Sequence, residues 1–177
     1  MQMRRGRASR ISYITNDVSL SDGLSGLDLE AGQHLDLTGR ENVFLMGALL
    51  GLSRREIRRR FDEIIGFAEG EAFIDTPLRS YSTGMRVRLG FSVAVHVDAG
   101  ILLVDEVLAV GDQSFQEKCL RKIRQLQEEG RTILFVSHAL ELVRMVCGRS
   151  LWLDGGALRA DGPADQVVSA YADEDRR

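Results

Sequence analysis

Gly100-Ile101-Leu102-Leu103-Val104-Asp105-Glu106 is the stretch on which the fold turns. Four apolar residues run from a glycine straight into two adjacent carboxylates, which reads as a short buried strand with an acidic carboxyl end. Thr132 to Val136 is a second run of this kind, followed by Ser137-His138. Between them Asp112 can cap a helix in which Phe115, Cys119, Ile123 and Leu126 share a face, and Gly130 suits its C-terminal cap. Strands alternating with amphipathic helices predict an α/β fold with a mostly parallel sheet. Further on, Arg149 to Leu153 and Ala157 to Asp161 are joined by Asp154-Gly155-Gly156, a hairpin turn, and Gly162-Pro163 opens a last short helix.

Toward the N-terminus the pattern becomes helical. Thr38-Gly39-Arg40-Glu41 and Ser53-Arg54-Arg55-Glu56 both fit the capping box and predict helices over roughly 41–51 and 54–67. In the second, Ile57, Phe61, Ile64 and Ile65 form one apolar stripe. Pro77 interrupts, and Ser82 or Thr83 can cap a third helix reaching about Val97. Residues 1–26 show little periodicity, although Ile11 to Thr15 admits a short strand. The expected division is a poorly patterned segment over 1–37, a helical subdomain over 38–97 and an α/β part over 98–177.

Composition narrows the function. Among 23 Lys and Arg, Lys118 and Lys122 alone are lysine, and neither follows a glycine. A phosphate loop of the form G-x-x-x-x-G-K-[ST] is therefore absent from these 177 residues. With 44% hydrophobic and 28% charged residues and two prolines, the chain has a folded protein's composition, and the net charge of −3 argues against nucleic acid as a partner. No stretch approaches the roughly 20 apolar residues of a membrane span, and the basic start at Arg4, Arg5, Arg7 and Arg10 lacks a following apolar signal core. A cytoplasmic protein is expected. Cys119 and Cys147 stand too far apart for a metal knuckle and read as reduced core thiols. The run Arg54, Arg55, Arg58, Arg59 and Arg60, interleaved with Glu56, Asp62 and Glu63, reads first as a solvated helix face and second as an anion or partner contact.

Asp105, Glu106 and His138 fall just beyond predicted strand ends, where open α/β sheets place ligands. Four apolar residues before two carboxylates is the Walker B arrangement, although an acidic strand end at the surface has the same spelling. Tyr81-Ser82-Thr83-Gly84-Met85, at a helix start, resembles the signature motif of ATP-binding cassette proteins in its polysaccharide-exporter form. Small hydroxyl residues and a glycine at a helix N-terminus offer donors and the positive dipole end to phosphate, though two such residues also merely cap helices. The order of motifs separates the readings. Leu37-Thr38-Gly39-Arg40-Glu41-Asn42, residues 81–85, residues 101–106, Val110-Gly111-Asp112 and Ser137-His138 follow one another as in the ATP-binding subunits of capsule, O-antigen and teichoic-acid exporters. Phe73-Ile74-Asp75-Thr76-Pro77 is similar to that subgroup as well, and the resemblance covers about 38–171.

The resemblance implies a partial ABC-type P-loop NTPase fold and a set of roles. Ser82, Thr83, Gly84 and Met85 would meet the γ-phosphate of ATP held by a partner subunit, with Asp112 in the loop facing that partner. Asp105 would hold Mg²⁺ through water, Glu106 would be the general base and His138 would contact the γ-phosphate. Asp28 stands where the family has its Q-loop residue, in surroundings that depart from the family pattern, while His34 and His96 match no functional position. The implied partners are a second nucleotide-binding subunit, the same or different, and a membrane permease on which region 38–97 docks at the inner face of the cell membrane.

In such a site the phosphate loop supplies most of the grip on ATP. A truncated or degenerate subunit with little ATPase activity of its own is therefore the first expectation. A non-catalytic partner lending residues 82–84 in trans is the second. A lobe of a chromosome-organising or DNA-repair cassette is the third, and residues 1–37 lack the heptads it would need. About 26 poorly matching residues are expected not to supply the upstream strands, and an unpaired sheet edge then invites association.

Overall fold

The computed structural model describes residues 11–15 by their backbone, residues 32–105 with Asp105 again by its backbone, and residues 112–174. In chain order the elements are β1 (Ile11–Thr15), α1 (Gly39–Leu49), α2 (Arg54–Ala68), α3 (Thr83–Val95), β2 (Ile101–Asp105), α4 (Gln113–Glu128), β3 (Thr132–Val136), α5 (Leu140–Val146), β4 (Arg149–Asp154), β5 (Ala157–Pro163) and α6 (Ala164–Glu174). A 3-10 turn at Leu78–Ser80 precedes α3. Two compact units result: a helical unit of α1, α2, α3 and the first turn of α4, and a sheet unit of the strands with the rest of α4, α5 and α6. No described helix is long and apolar enough to cross a membrane.

Both expected capping boxes form. The Thr38 hydroxyl accepts from the Glu41 N–H at 3.2 Å while the Glu41 carboxylate accepts from the Thr38 N–H at 2.8 Å. Ser53 and Glu56 exchange the same bonds at 3.3 and 2.8 Å. Each box fixes a helix start for about 1 kcal/mol. α1 ends in a Schellman turn, with Gly51 at φ +86° and the Leu52 N–H returning to the Gly47 carbonyl at 2.9 Å. Ile57, Ile64 and Ile65 of the expected stripe are buried with Val43, Leu78, Leu89 and Val93, and half-buried Phe61 stacks on Phe44 at 5.8 Å. Each fully buried aliphatic side chain contributes roughly 1.5–3 kcal/mol. α3 stops at Val95, short of the expected Val97, because His96 and Val97 donate to Val93 and Ala94 and tighten the end to 3-10 spacing.

The sheet runs β2-β3-β1-β4-β5. β1 lies parallel to both neighbours, with Ile11 opposite Leu134 on β3 and Arg149 on β4. The short strand that Ile11 to Thr15 admitted forms, and it takes the central place in the sheet. Five residues of little periodicity suffice because a strand paired on both sides is specified by its neighbours more than by its own pattern. β2 and β3 are parallel as expected, and Phe115, Cys119, Ile123 and Leu126 on α4 are buried. Gly155 and Gly156 take φ +53° and +77° in the hairpin turn. β5 extends through Pro163, paired with Arg149, so α6 begins at Ala164 and not at Gly162-Pro163. An edge strand tolerates a proline there, since the missing N–H would face solvent.

Candidate functional site

The start of α3 carries the signature-like residues, and three sequence motifs converge to hold it. The segment Phe73-Ile74-Asp75-Thr76-Pro77 lies against the start of α1: Gly39 and Arg40 donate to the Thr76 and Ile74 carbonyls at 3.1 and 2.8 Å, and Leu78 donates to Leu37 at 2.9 Å. Arg40 forks onto Asp75 through bonds of 2.7 and 3.1 Å, which holds the exposed Asp75 carboxyl below its ordinary range. Tyr81 is buried, and its hydroxyl donates to the Phe73 carbonyl at 2.7 Å. A Cβ on Gly39 would sit 2.3 Å from that hydroxyl oxygen, so the glycine of one motif makes room for the tyrosine of another.

From this anchor Ser82 takes the N-cap position, its hydroxyl accepting from the Met85 N–H at 3.2 Å. Ser82 and Thr83 are exposed, and Met85 packs against the helical core. By helix geometry the Thr83 and Gly84 N–H groups are the first-turn donors left without intrahelical partners. Arg86 donates to the Thr83 hydroxyl at 3.3 Å and adds positive charge to the same turn. A Cβ on Gly84 would meet nothing nearer than the Ser82 hydroxyl at 3.9 Å. Internal packing therefore does not require this glycine, and the surface above it is open. That arrangement fits a phosphate oxygen.

In the sheet unit β2, β3 and β1 point the same way, with Asp105 opposite Val136 and Val136 opposite Tyr13. Asp105, Val136 and Tyr13 thereby lie level, and His138, two residues past Val136, follows at the same carboxyl edge. The chain leaves β1 toward β2 on one side, and β3 connects past β1 to β4 on the other, which makes this edge the switch point where open α/β sheets bind ligands. His138 is exposed, following Ser137, whose hydroxyl accepts from the Ala139 N–H at 3.0 Å. In P-loop proteins a phosphate loop with a lysine follows a central parallel strand; the sequence after β1 is Asn16-Asp17-Val18-Ser19, with no lysine. Asp28, Glu106, Val110 and Gly111 lie outside the described residues, as does the side chain of Asp105. Among the described residues no group of three or more His, Cys, Asp or Glu could hold a metal ion.

No family model matches the chain. The O-antigen export system ATP-binding protein RfbB of Klebsiella pneumoniae is 49% identical over 147 residues, 83% of this chain and 60% of that protein. RfbB of Myxococcus xanthus is 45% identical over 174 residues, 94% of this chain and 40% of that protein. The teichoic acids export ATP-binding protein TagH of Enterococcus faecalis is 41% identical over 157 residues, 89% and 35% of the two chains. The chain belongs to the O-antigen and teichoic-acid export family of ATP-binding cassette proteins. It spans three-fifths or less of the length of these curated relatives. Solved structures share the fold: an ATP-binding subunit of an ABC transporter superposes with a TM-score of 0.70 at 20% identity, covering 92% of this chain and 62% of that one. A bacterial ABC transporter cassette solved as a dimer does so at 0.66 and 19%, covering 89% and 86%.

Two residues of this cassette carry positioning that sequence spacing does not reveal. Asn42 is fully buried and ties down the turn before α1, its side-chain oxygen accepting from the His34 N–H at 2.8 Å and its amide donating to the His34, Leu37 and Thr38 carbonyls. Arg88, one turn past Gly84 on α3, reaches Glu69 at 2.8 Å and Asp112 at 2.5 Å and lies over the Phe115 ring at 4.8 Å. Asp112 caps α4 by accepting from the Phe115 N–H at 3.0 Å. That bond, then the Ser114 hydroxyl and to a lesser degree Arg88, depress the Asp112 carboxyl below its ordinary range. Arg88 thus links α3 to the residue that caps α4. The only advance sign of it is a helical spacing of four from Gly84, shared by many surface arginines.

Proposed function

We propose that these 177 residues form the signature-bearing part of an ATP-binding subunit that couples ATP to export of a cell-surface polysaccharide, at the inner face of the cell membrane beside a permease. The observation that carries the proposal is the start of α3: exposed Ser82 and Thr83, orphan first-turn amides, and a Gly84 that no internal contact demands. There the helix end would meet the γ-phosphate of ATP gripped by a partner cassette, with Asp112 in the adjoining partner-facing loop. Positive potential from the helix end and Arg86 stabilises the charge that grows on the γ-phosphoryl oxygens.

Glu106, next in sequence to Asp105, accepts a proton from the attacking water as its oxygen bonds phosphorus and the bond to the β-phosphate oxygen breaks. His138 contacts the γ-phosphate, and Asp28 stands at the Q-loop position. Mg²⁺, which Asp105 would hold through water, supplies neutralisation of the phosphate charge. The 177 residues lack the lysine loop that grips ATP, and Asp17 and Asp22 follow the central strand where that loop would place positive charge. The same observation favours a second reading, in which the chain serves an intact subunit by lending Ser82 to Gly84 in trans.

The test is assembly. Mixed with an intact cassette of the same family whose own general base is disabled, the chain should form a complex in the presence of Mg-ATP and not without it. Ser82→Arg should weaken that complex by about tenfold or more, since it sets bulk and a guanidinium where a phosphate docks. A complex indifferent to ATP and to Ser82→Arg would overturn the proposal. If the partner keeps its base, a change in its turnover selects the lending role over that of an inert relic.

A further inference from the structure

The corner between α1 and α2 is not accounted for by nucleotide chemistry. Instead of burying its last residues, α1 closes in the Schellman turn at Gly51 and leaves Leu49 66% and Leu50 38% exposed, side by side. A Cβ on Gly51 would meet nothing within 4 Å, so the turn itself stands out at the surface. Four residues after Leu50, α2 begins with Arg54, Arg55, Arg58 and Arg59, all exposed.

Within the first two turns of α2 the four arginines stand against one acid. Arg55 and Arg58 make no hydrogen bond or ion pair among the described residues, and Arg54 lies over the Phe44 ring at 5.9 Å. Glu56, the one acid among them, has its carboxylate engaged by Ser53 at the helix cap, which with Arg60 and Arg59 nearby holds it below its ordinary range. Asp62 and Glu63 follow Arg58 and Arg59 by four residues on the same helix faces and offset part of the charge, while Arg54 and Arg55 have no acid four residues on. Ser53, Arg55, Glu56, Arg58 and Arg59 line an open depression of about 640 Å³. In a chain of net charge −3 this is a local excess of positive charge, placed at the positive end of a helix dipole and a few residues after two exposed leucines.

We infer that this corner rests on the surface of an anionic phospholipid bilayer, with the arginines among the headgroups and Leu49 and Leu50 entering the interface. Charge complementarity selects the occupant: arginine heads beside exposed aliphatic side chains match a layer that is anionic outside and apolar just beneath. Arginine suits phosphodiesters through its fork of donors, and the four exposed arginines project from one helix end. The inference adds a lipid contact to the proposed export role without depending on it, because it needs neither ATP nor a permease.

Flotation of the purified chain with vesicles tests it. Phosphatidylglycerol-rich vesicles should carry the chain at low salt, high salt should release it, and pure phosphatidylcholine vesicles should not bind it. Arg58→Gln with Arg59→Gln should lower the vesicle affinity by about tenfold or more, while the charge-matched pair Arg121→Gln and Arg124→Gln on α4 should leave it nearly unchanged. Leu49→Ser with Leu50→Ser should weaken binding at high salt more than at low. Glutamine keeps the helix propensity of arginine, and an unchanged thermal midpoint confirms the fold. Equal losses from both arginine pairs, no preference for anionic vesicles, or displacement by an acidic polypeptide as effectively as by anionic vesicles would overturn it. Vesicle binding without any ATP-dependent assembly would retain this contact and reject the export role; assembly without vesicle binding would do the reverse.

Discussion

In the helical unit the start of α3 is held by contacts that span a few dozen residues, with Gly39 against Tyr81 and Arg40 on Asp75, whereas in the sheet unit the edge bearing Asp105 and His138 is organised by β1, which pairs Ile11 with the far more distant Leu134 and Arg149. The first arrangement closes loops about a third as long as the second, which costs about 1 kcal/mol less in closure entropy. The second waits on distant pairing, so its order is the more easily lost. The sheet's two edges repeat the contrast. β5 carries Arg159, Asp161 and Pro163, which discourage further pairing, while β2 presents Ile101 69% exposed next to Leu102 and Leu103.

The largest expected effect breaks the comparison at its weaker member. Tyr13→Pro removes a backbone donor from a strand paired on both sides and should cost more than about 3 kcal/mol. Amide exchange should then lose protection across β3 and β4 while α1, α2 and α3 keep theirs; equal loss in both units would show that the two are not separately ordered. Gly39→Val tests the other member. It drives a side chain into the Tyr81 hydroxyl and the Ile74 carbonyl and should destabilise the helical unit by about 1–3 kcal/mol, read as faster exchange at the start of α3 with β3 unchanged.

The same contrast governs what could be read without coordinates. Capping boxes at Thr38 and Ser53, the stripe on α2, the two buried parallel strands and the Gly155-Gly156 hairpin are local patterns and were legible as such. The central place of β1 was not, because pairing partners far along the chain are what make Ile11 to Thr15 a strand. Nor was the contact of Gly39 with Tyr81, although both belong to motifs visible in the sequence: spelling shows that two motifs occur together and not that one vacates space for the other. Arg88 was hidden among many arginines, and its bond to Asp112 joins α3 to a residue that lies beyond β2.

A smaller effect sharpens the description of that bond. The folded Asp112 carboxyl is depressed, so its contribution to stability is present above the unfolded carboxylate range near pH 4 and is lost as pH falls through the lower folded value. Asp112→Asn should therefore separate from the parent in thermal midpoint above about pH 4, with the gap narrowing below it. A gap independent of pH would mean that the carboxylate's charge is not what matters at the α4 cap.

The most direct test of the central claim is steady-state Mg-ATP hydrolysis by the purified 177-residue chain alone. Turnover no faster than that of its own Glu106→Gln variant is the result expected of a chain that carries the signature and strand-end residues without a lysine loop to grip the triphosphate. Hydrolysis at an ordinary transporter rate, abolished by Glu106→Gln, would contradict it.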